Sequence, residues 1–166
     1  MNSVAATPRR RVLLIASSGG HLAQLRQIAA DWETDDRRWV SFDKGNAPWL
    51  LGDEHVTWAH HPTNRNIPNL VRNLRLAWRD ISKDPPRALV TTGAGVAVPF
   101  AIVCRIRGIP IIYVETMARS EKPSLTARLI YPLSTRFFVQ WPDMTRHFRR
   151  AEFHGSSFAI PDARHP

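Results

Sequence analysis

One cysteine, Cys104, stands in 166 residues, so no disulfide can form within the chain and a reducing compartment is expected. Cys104 lies in an apolar run with no cationic group on its N-terminal side, which marks a buried structural thiol and not a nucleophile. Long apolar runs are missing. The longest, residues 96–104, is too short to span a bilayer and contains Pro99. The N-terminal MNSVAATPRRR has no apolar centre of the kind a signal peptide carries. A soluble or peripheral protein is therefore expected. No cysteines pair at metal-ligand spacing and no histidines cluster. His60 and His61 are adjacent and would point apart in an extended segment, so neither a metal nor a cofactor is expected. The three-glycine dinucleotide fingerprint is also absent, which argues against a dinucleotide-dependent oxidoreductase.

Acidic side chains are scarce, 14 against 23 basic ones, and the formal net charge is +9. Such a balance favours anionic partners, namely phosphorylated ligands, an acidic membrane surface or nucleic acid. The bland alternative is a solvated arginine-rich surface. Nucleic acid is the least favoured partner, because the basic residues are not interleaved with aromatics on a recognisable module. What the chain has in quantity is apolar residue, 43% of the total, enough for one folded domain.

Short apolar runs alternate with helical patterns. Residues 11–16 (RVLLIA), 39–42 (WVSF), 88–91 (ALVT), 111–115, 136–140 (RFFVQ) and 152–158 are expected strands. Helices are expected from His21, over 67–81, 96–107, 124–131 and 143–150, with turns at 43–48 and 62–66. This alternation predicts a single α/β domain with a mostly parallel, Rossmann-like sheet covered on both faces. It should span residues 11–158, between a flexible N-terminus over 1–10 and a tail over 159–166.

Ligands of such sheets bind beyond the carboxyl ends of the strands, where three loops of this chain fall. Ser17, Ser18, Gly19, Gly20 and His21 join the first strand to its helix. Backbone amides there can approach an anion, and His21 can act as a general base or as a hydrogen-bond donor to phosphate. The competing reading is a tight turn with an idle histidine. Gly93 and Gly95 occupy an equivalent loop, where close helix–sheet packing is the alternative. Glu115 ends a strand beside Arg119; the two can place a sugar hydroxyl and a phosphate, or form a local ion pair. The helix over 67–81 carries Ile67, Leu70, Val71, Leu74, Trp78 and Ile81 on one face and Arg72, Arg75 and Arg79 on the opposite one. Periodicity favours placing that apolar face in the core. The second reading is an interfacial helix on anionic lipid, to which Leu76, off the apolar face, lends some support.

SSGGHLAQL, TTGAGVAVP and VETMARSEKPSLTARLIYPLSTRFFVQWPDM, in that order, together resemble one family over roughly residues 11–158. It is the membrane-anchoring, acceptor-side subunit family of the split N-acetylglucosaminyltransferase that adds the second sugar in dolichol-linked oligosaccharide synthesis, with bacterial relatives in capsule and exopolysaccharide assembly. The glycine–histidine loop is also similar to the N-terminal domain of the enzyme that glycosylates the undecaprenyl-linked peptidoglycan precursor. The resemblance implies the N-terminal half of a GT-B glycosyltransferase, holding a polyprenyl-diphosphate-linked sugar acceptor. A separate donor-binding subunit would complete a heterodimer that works without metal. It implies that Ser18, Gly19, Gly20, Gly93, Gly95 and Arg119 face acceptor phosphate, and that His21 and Glu115 serve catalysis. Arg72, Leu74, Arg75, Trp78 and Arg79 would touch an anionic membrane at the inner face of the cell membrane. Eukaryotic members carry an N-terminal transmembrane helix that this sequence lacks, so attachment is expected from the basic amphipathic surface or from the partner. A non-catalytic membrane scaffold and a stand-alone nucleotide-binding Rossmann enzyme are the rival readings.

Overall fold

The protein is described here by a computed structural model covering residues 11–33 and 36–157. The N-terminus over 1–10, the tail over 159–166 and Phe158 lie outside the described residues. Strand β1 (Val12–Ile15) leads to α1 (Gly20–Ile28), β2 (Arg37–Ser41), α2 (Ala47–Leu51), β3 (Val56–Trp58) and the long α3 (Ile67–Lys83). Then follow β4 (Ala88–Thr91), α4 (Ala97–Ile106), β5 (Ile111–Val114), α5 (Leu125–Ile130), β6 (Arg136–Val139) and β7 (Ala151–Phe153). All described pairings are parallel, and the strand order is β3-β2-β1-β4-β5-β6-β7. The expected α/β Rossmann-like fold is therefore present.

Strand periodicity builds two cores. On β1, Leu13 and Ile15 face one layer with Ala77 and Ile81 of α3, Phe100 of α4 and Ile130 of α5. Val12 and Leu14 face the other with Leu22 and Leu25 of α1 and Leu51 of α2. Successive side chains of a strand point to opposite faces, so a doubly covered strand must be apolar throughout, and β1 is. The chain starts in the middle of the sheet, runs out to β3, and returns through α3 to β4 on the other side of β1. That return makes β1 and β4 neighbours whose following helices lie on opposite faces, the topological switch point of the fold.

Several sequence expectations need correction. The turn read over 43–48 gives way at Ala47 to α2, a short helix with Pro48 in its first turn. The edge strand β3 is too short and too exposed to carry an apolar signature. The helix expected over 143–150 is a 3-10 segment, Pro142–His147, and the last strand is confined to Ala151–Phe153.

The largest correction concerns α3. All of its apolar face but Ile81 is outside the core: Ile67 is 72% exposed, Trp78 49%, and Leu70, Val71 and Leu74 are exposed as well. The buried residues are Asn69, Asn73, Ala77 and Ile81. Polar bonds set this rotation. Asn73 bonds the backbone of His60, Asp80 accepts from Thr57 Oγ1 at 3.0 Å, and Asp80 pairs with the buried Arg38 of β2. Turning the leucines inward would strip these buried groups of their partners, at a cost of about 1–3 kcal/mol for each. Leu76 packs against the core and gives no support to an interfacial reading.

Candidate functional site

The loops after β1 and β4 meet at the switch point. His21, in the first turn of α1, places Nδ1 2.8 Å from the carbonyl oxygen of Thr92. Thr92 returns the contact, its hydroxyl donating to the His21 carbonyl at 2.8 Å. A carbonyl only accepts, so Nδ1 carries the proton, and in the neutral ring Nε2 holds the lone pair. No described residue bonds Nε2. The ring is thus held in the tautomer a general base needs, in a partly open position.

The backbone around His21 is shaped for close approach. Gly19 adopts φ +93° and donates its amide to Asn46 Oδ1 at 2.8 Å. Gly20, which opens α1, is exposed, and amides in a first helical turn have no acceptor within the helix. Across the crevice Gly93 takes φ +103° and Ala94 φ +77°. Left-handed backbone at a non-glycine costs roughly 1–2 kcal/mol, and such strain concentrates at functional sites. A Cβ on Gly93 would meet the Tyr113 hydroxyl at 2.9 Å and His21 Cε1 at 3.6 Å, so no side chain fits between them. Ser18 stands beside Gly45, which brings the loop after β2 to the same place. Ser18, Gly19, Gly20, His21, Gly93 and Gly95 therefore share one edge of the sheet.

Glu115 lies behind this crevice. It is 0% exposed, and its carboxylate accepts from the Tyr113 hydroxyl at 3.2 Å, the Thr116 amide at 3.1 Å and the Ser124 hydroxyl at 3.3 Å. The Ser124 side chain in turn caps α5. Burial, and then the adjacent Glu115 charge, hold the Tyr113 phenol well above its ordinary range, so Tyr113 stays neutral and donates. Arg119 is exposed in the following loop and, among the described residues, pairs with no carboxylate. Cys104 is buried in α4, and burial pushes its thiol up to about 12, which leaves it unreactive at neutral pH.

The membrane-contact candidates form a separate group. Arg72, Leu74, Arg75, Trp78 and Arg79 are all exposed on α3, and Arg107 lies over the Trp78 ring at 4.8 Å. Because α3 follows β3 in a parallel sheet, it begins at the same edge as the glycine loops. No helix among the described residues is long and apolar enough to cross a membrane. Sequence reasoning missed Asn46, Thr63 and Tyr113. Only Asn46 left a signal, an asparagine ahead of Ala47-Pro48 at a helix start. Elsewhere, a groove of about 360 Å³ runs along the second face of β4–β6, with Ile28, Val90, Ile112, Val114 and Phe138 on its apolar side and Gln140 and residues 154–157, which follow β7, on its polar side.

Residues 60–157 match the family described as "Oligosaccharide biosynthesis protein Alg14 like". A relative from Debaryomyces hansenii, UDP-N-acetylglucosamine transferase subunit ALG14, is 27% identical over 87% of this chain and 75% of its own length. The protein of the same description from Yarrowia lipolytica is 35% identical over 87% of this chain and 80% of its own length. Among solved structures, Acinetobacter baumannii MurG superposes with a TM-score of 0.67 at 17% identity, over 81% of this chain and 42% of that one. The UDP-N-acetylglucosamine 2-epimerase of Rickettsia bellii gives 0.70 at 14% identity, over 90% and 45%. The chain thus spans less than half of each of these solved proteins and matches a Rossmann-like half of them. At such identities the likeness concerns the fold alone.

Proposed function

Because this chain belongs to the Alg14-like family of oligosaccharide biosynthesis proteins, we propose that it is the acceptor-binding, membrane-recruiting subunit of a two-component glycosyltransferase. The donor would be a nucleotide-diphosphate sugar held by a partner chain, and the acceptor a sugar on a polyprenyl diphosphate. One observation carries this reading. A histidine with a base-ready Nε2, between two glycine loops, stands at the sheet edge where a helix with outward apolar and arginine residues begins.

In the reaction, the acceptor hydroxyl gives its proton to His21 Nε2 while its oxygen forms a bond to the anomeric carbon of the donor sugar. The bond from that carbon to the diphosphate oxygen breaks on the opposite side, and the nucleoside diphosphate leaves with the electron pair. The configuration inverts. The acceptor's own diphosphate rests against the two glycine loops on the amides of Gly20, in the first turn of α1, and of Gly95, since the Gly19 and Gly93 amides already donate to Asn46 Oδ1 and Thr91 Oγ1. Glu115 positions, through Tyr113 and Ser124, the floor of that crevice. The α3 stripe holds the assembly at an anionic membrane surface, peripheral to the inner face of the cell membrane, and the open groove on β4–β6 takes the donor-binding chain.

The purified chain should show no turnover on a lipid-linked acceptor with a UDP-sugar, and co-expression with a donor-binding chain should restore it. Turnover by the single chain would sink the two-component reading.

A further inference from the structure

Two buried asparagines on α3 do work that neither the site nor the membrane stripe accounts for. Asn73, 0% exposed, accepts from the His60 amide at 2.8 Å and donates back to the His60 carbonyl at 2.8 Å, as a neighbouring strand would. Asn69 donates to the Pro62 carbonyl at 2.9 Å. The loop they hold then presses Thr63 onto the second glycine loop. A Cβ on Gly95 would stand 2.8 Å from Thr63 Oγ1 and 3.1 Å from Thr63 Cβ. The same bonds set the rotation of α3 that turns Leu70, Leu74 and Trp78 outward. One set of contacts therefore fixes both the orientation of the apolar stripe and the seat of the Gly93–Gly95 loop.

A prenyl chain embedded in a bilayer holds its diphosphate at a fixed height above the lipid. A site that receives it must keep its own height relative to the surface on which the protein lies, since small misplacements are costly to bound geometry. We infer that Asn69 and Asn73 are positioning residues for a membrane-embedded prenyl diphosphate. Through Thr63 they set the distance between the lipid-facing stripe of α3 and the anion-binding loop at Gly93–Gly95. The ligand rests on the acceptor reading above; the mechanical link rests on the contacts alone. A short, water-soluble prenyl diphosphate needs no such spacing, because it reaches the loop from solution.

The test compares two ligands on the full chain: a long-chain prenyl diphosphate in phosphatidylglycerol vesicles, and geranyl diphosphate in buffer. Asn73→Ala should weaken the embedded ligand, measured per vesicle-bound protein, on the order of tenfold or more, and should weaken geranyl diphosphate clearly less, because only the embedded ligand also depends on the height of the loop above the lipid. Equal losses for both ligands, or no loss for the embedded one, overturn the inference. A second route covers a failure of Asn73→Ala to fold. Thr63→Gly, which removes the contact at Gly95 and leaves α3 untouched, should weaken the embedded ligand more than geranyl diphosphate, and an undiminished embedded ligand also overturns the inference. Amide exchange on the lipid-free protein separates the two layers of the claim. Asn73→Ala should speed exchange at 60–63 and 93–95 together, and unchanged exchange at 93–95 breaks the link. A wild-type chain that binds neither diphosphate, with exchange still changing at both loops, removes the acceptor reading and leaves the link standing.

Discussion

A neutral imidazole has one donor and one acceptor nitrogen, and in this protein Thr92 decides which is which for His21. The carbonyl at 2.8 Å claims the Nδ1 proton and leaves the lone pair on Nε2. A general base contributes about a hundred- to ten-thousand-fold in rate, so His21→Ala in the assembled complex should lower kcat at least about a hundredfold. The same change removes a part-buried hydrogen bond between α1 and the Thr92 loop, so stability should fall by about 1 kcal/mol, more than an idle loop histidine would account for. His21→Gln should stay inactive if proton removal is the role, and recover part of the rate if donation alone matters. Near-normal kcat in His21→Ala would move the base to the partner chain. Glu115 shows how a residue in the right place on the sequence takes a different part in space. Its position at the end of β5 was legible, but its burial beneath Tyr113 and Ser124 was not, because the loop that covers it follows it in the chain.

At the scale of the element, α3 departs from the rule that an amphipathic helix turns its apolar face inward. Its exposed leucines make a direct test. Leu74→Gln should leave stability within about 0.5 kcal/mol, as for other surface positions, whereas a core leucine truncated to a small residue costs about 2–5 kcal/mol. The lipid role is tested by co-sedimentation with anionic vesicles. A basic side chain near such a surface contributes about 1 kcal/mol. Replacing Arg72, Arg75 and Arg79 by Gln should therefore weaken binding by about two orders of magnitude at low salt, since 1.4 kcal/mol is tenfold. Binding by the unmodified protein should fall as salt screens the attraction. Equal sedimentation with neutral and anionic vesicles at every salt concentration would remove the electrostatic part of the reading.

For the whole molecule, the uneven covering of the sheet matters most. A parallel sheet is normally covered on both faces. Here α1 and α2 cover one face of β1–β3, and α3, α4 and α5 cover the other face of the sheet. The second face of β5 and β6 keeps Ile112, Val114 and Phe138 only partly buried in the groove. If the chain works with a donor-binding partner as proposed, this is an apolar surface whose burial would favour association by about 25 cal/mol per Å². Phe138→Glu should leave the circular dichroism spectrum and vesicle binding intact and abolish co-purification with the donor-binding chain. Undiminished co-purification would place the interface elsewhere.

The alternation of strands and helices outside α2 and β3, the parallel sheet and the glycine–histidine loop were determined by the sequence itself. They depend on local patterns: apolar runs at strand length, glycines after them, and helix caps. The position of His21 at the start of a helix follows from the same patterns. The tertiary structure alone decided which nitrogen of His21 is free, because Thr92 lies 71 residues away and reaches it only when β1 and β4 become neighbours. It also decided the rotation of α3. Hydropathy counts the leucines of one helix, but the outcome turned on partners of Asn69, Asn73 and Asp80 that lie on β2, on β3 and on the loop before the helix. Hydrophobic burial has no direction and can be satisfied in many ways, whereas a buried hydrogen bond demands a particular atom, and that atom is supplied only by the assembled fold.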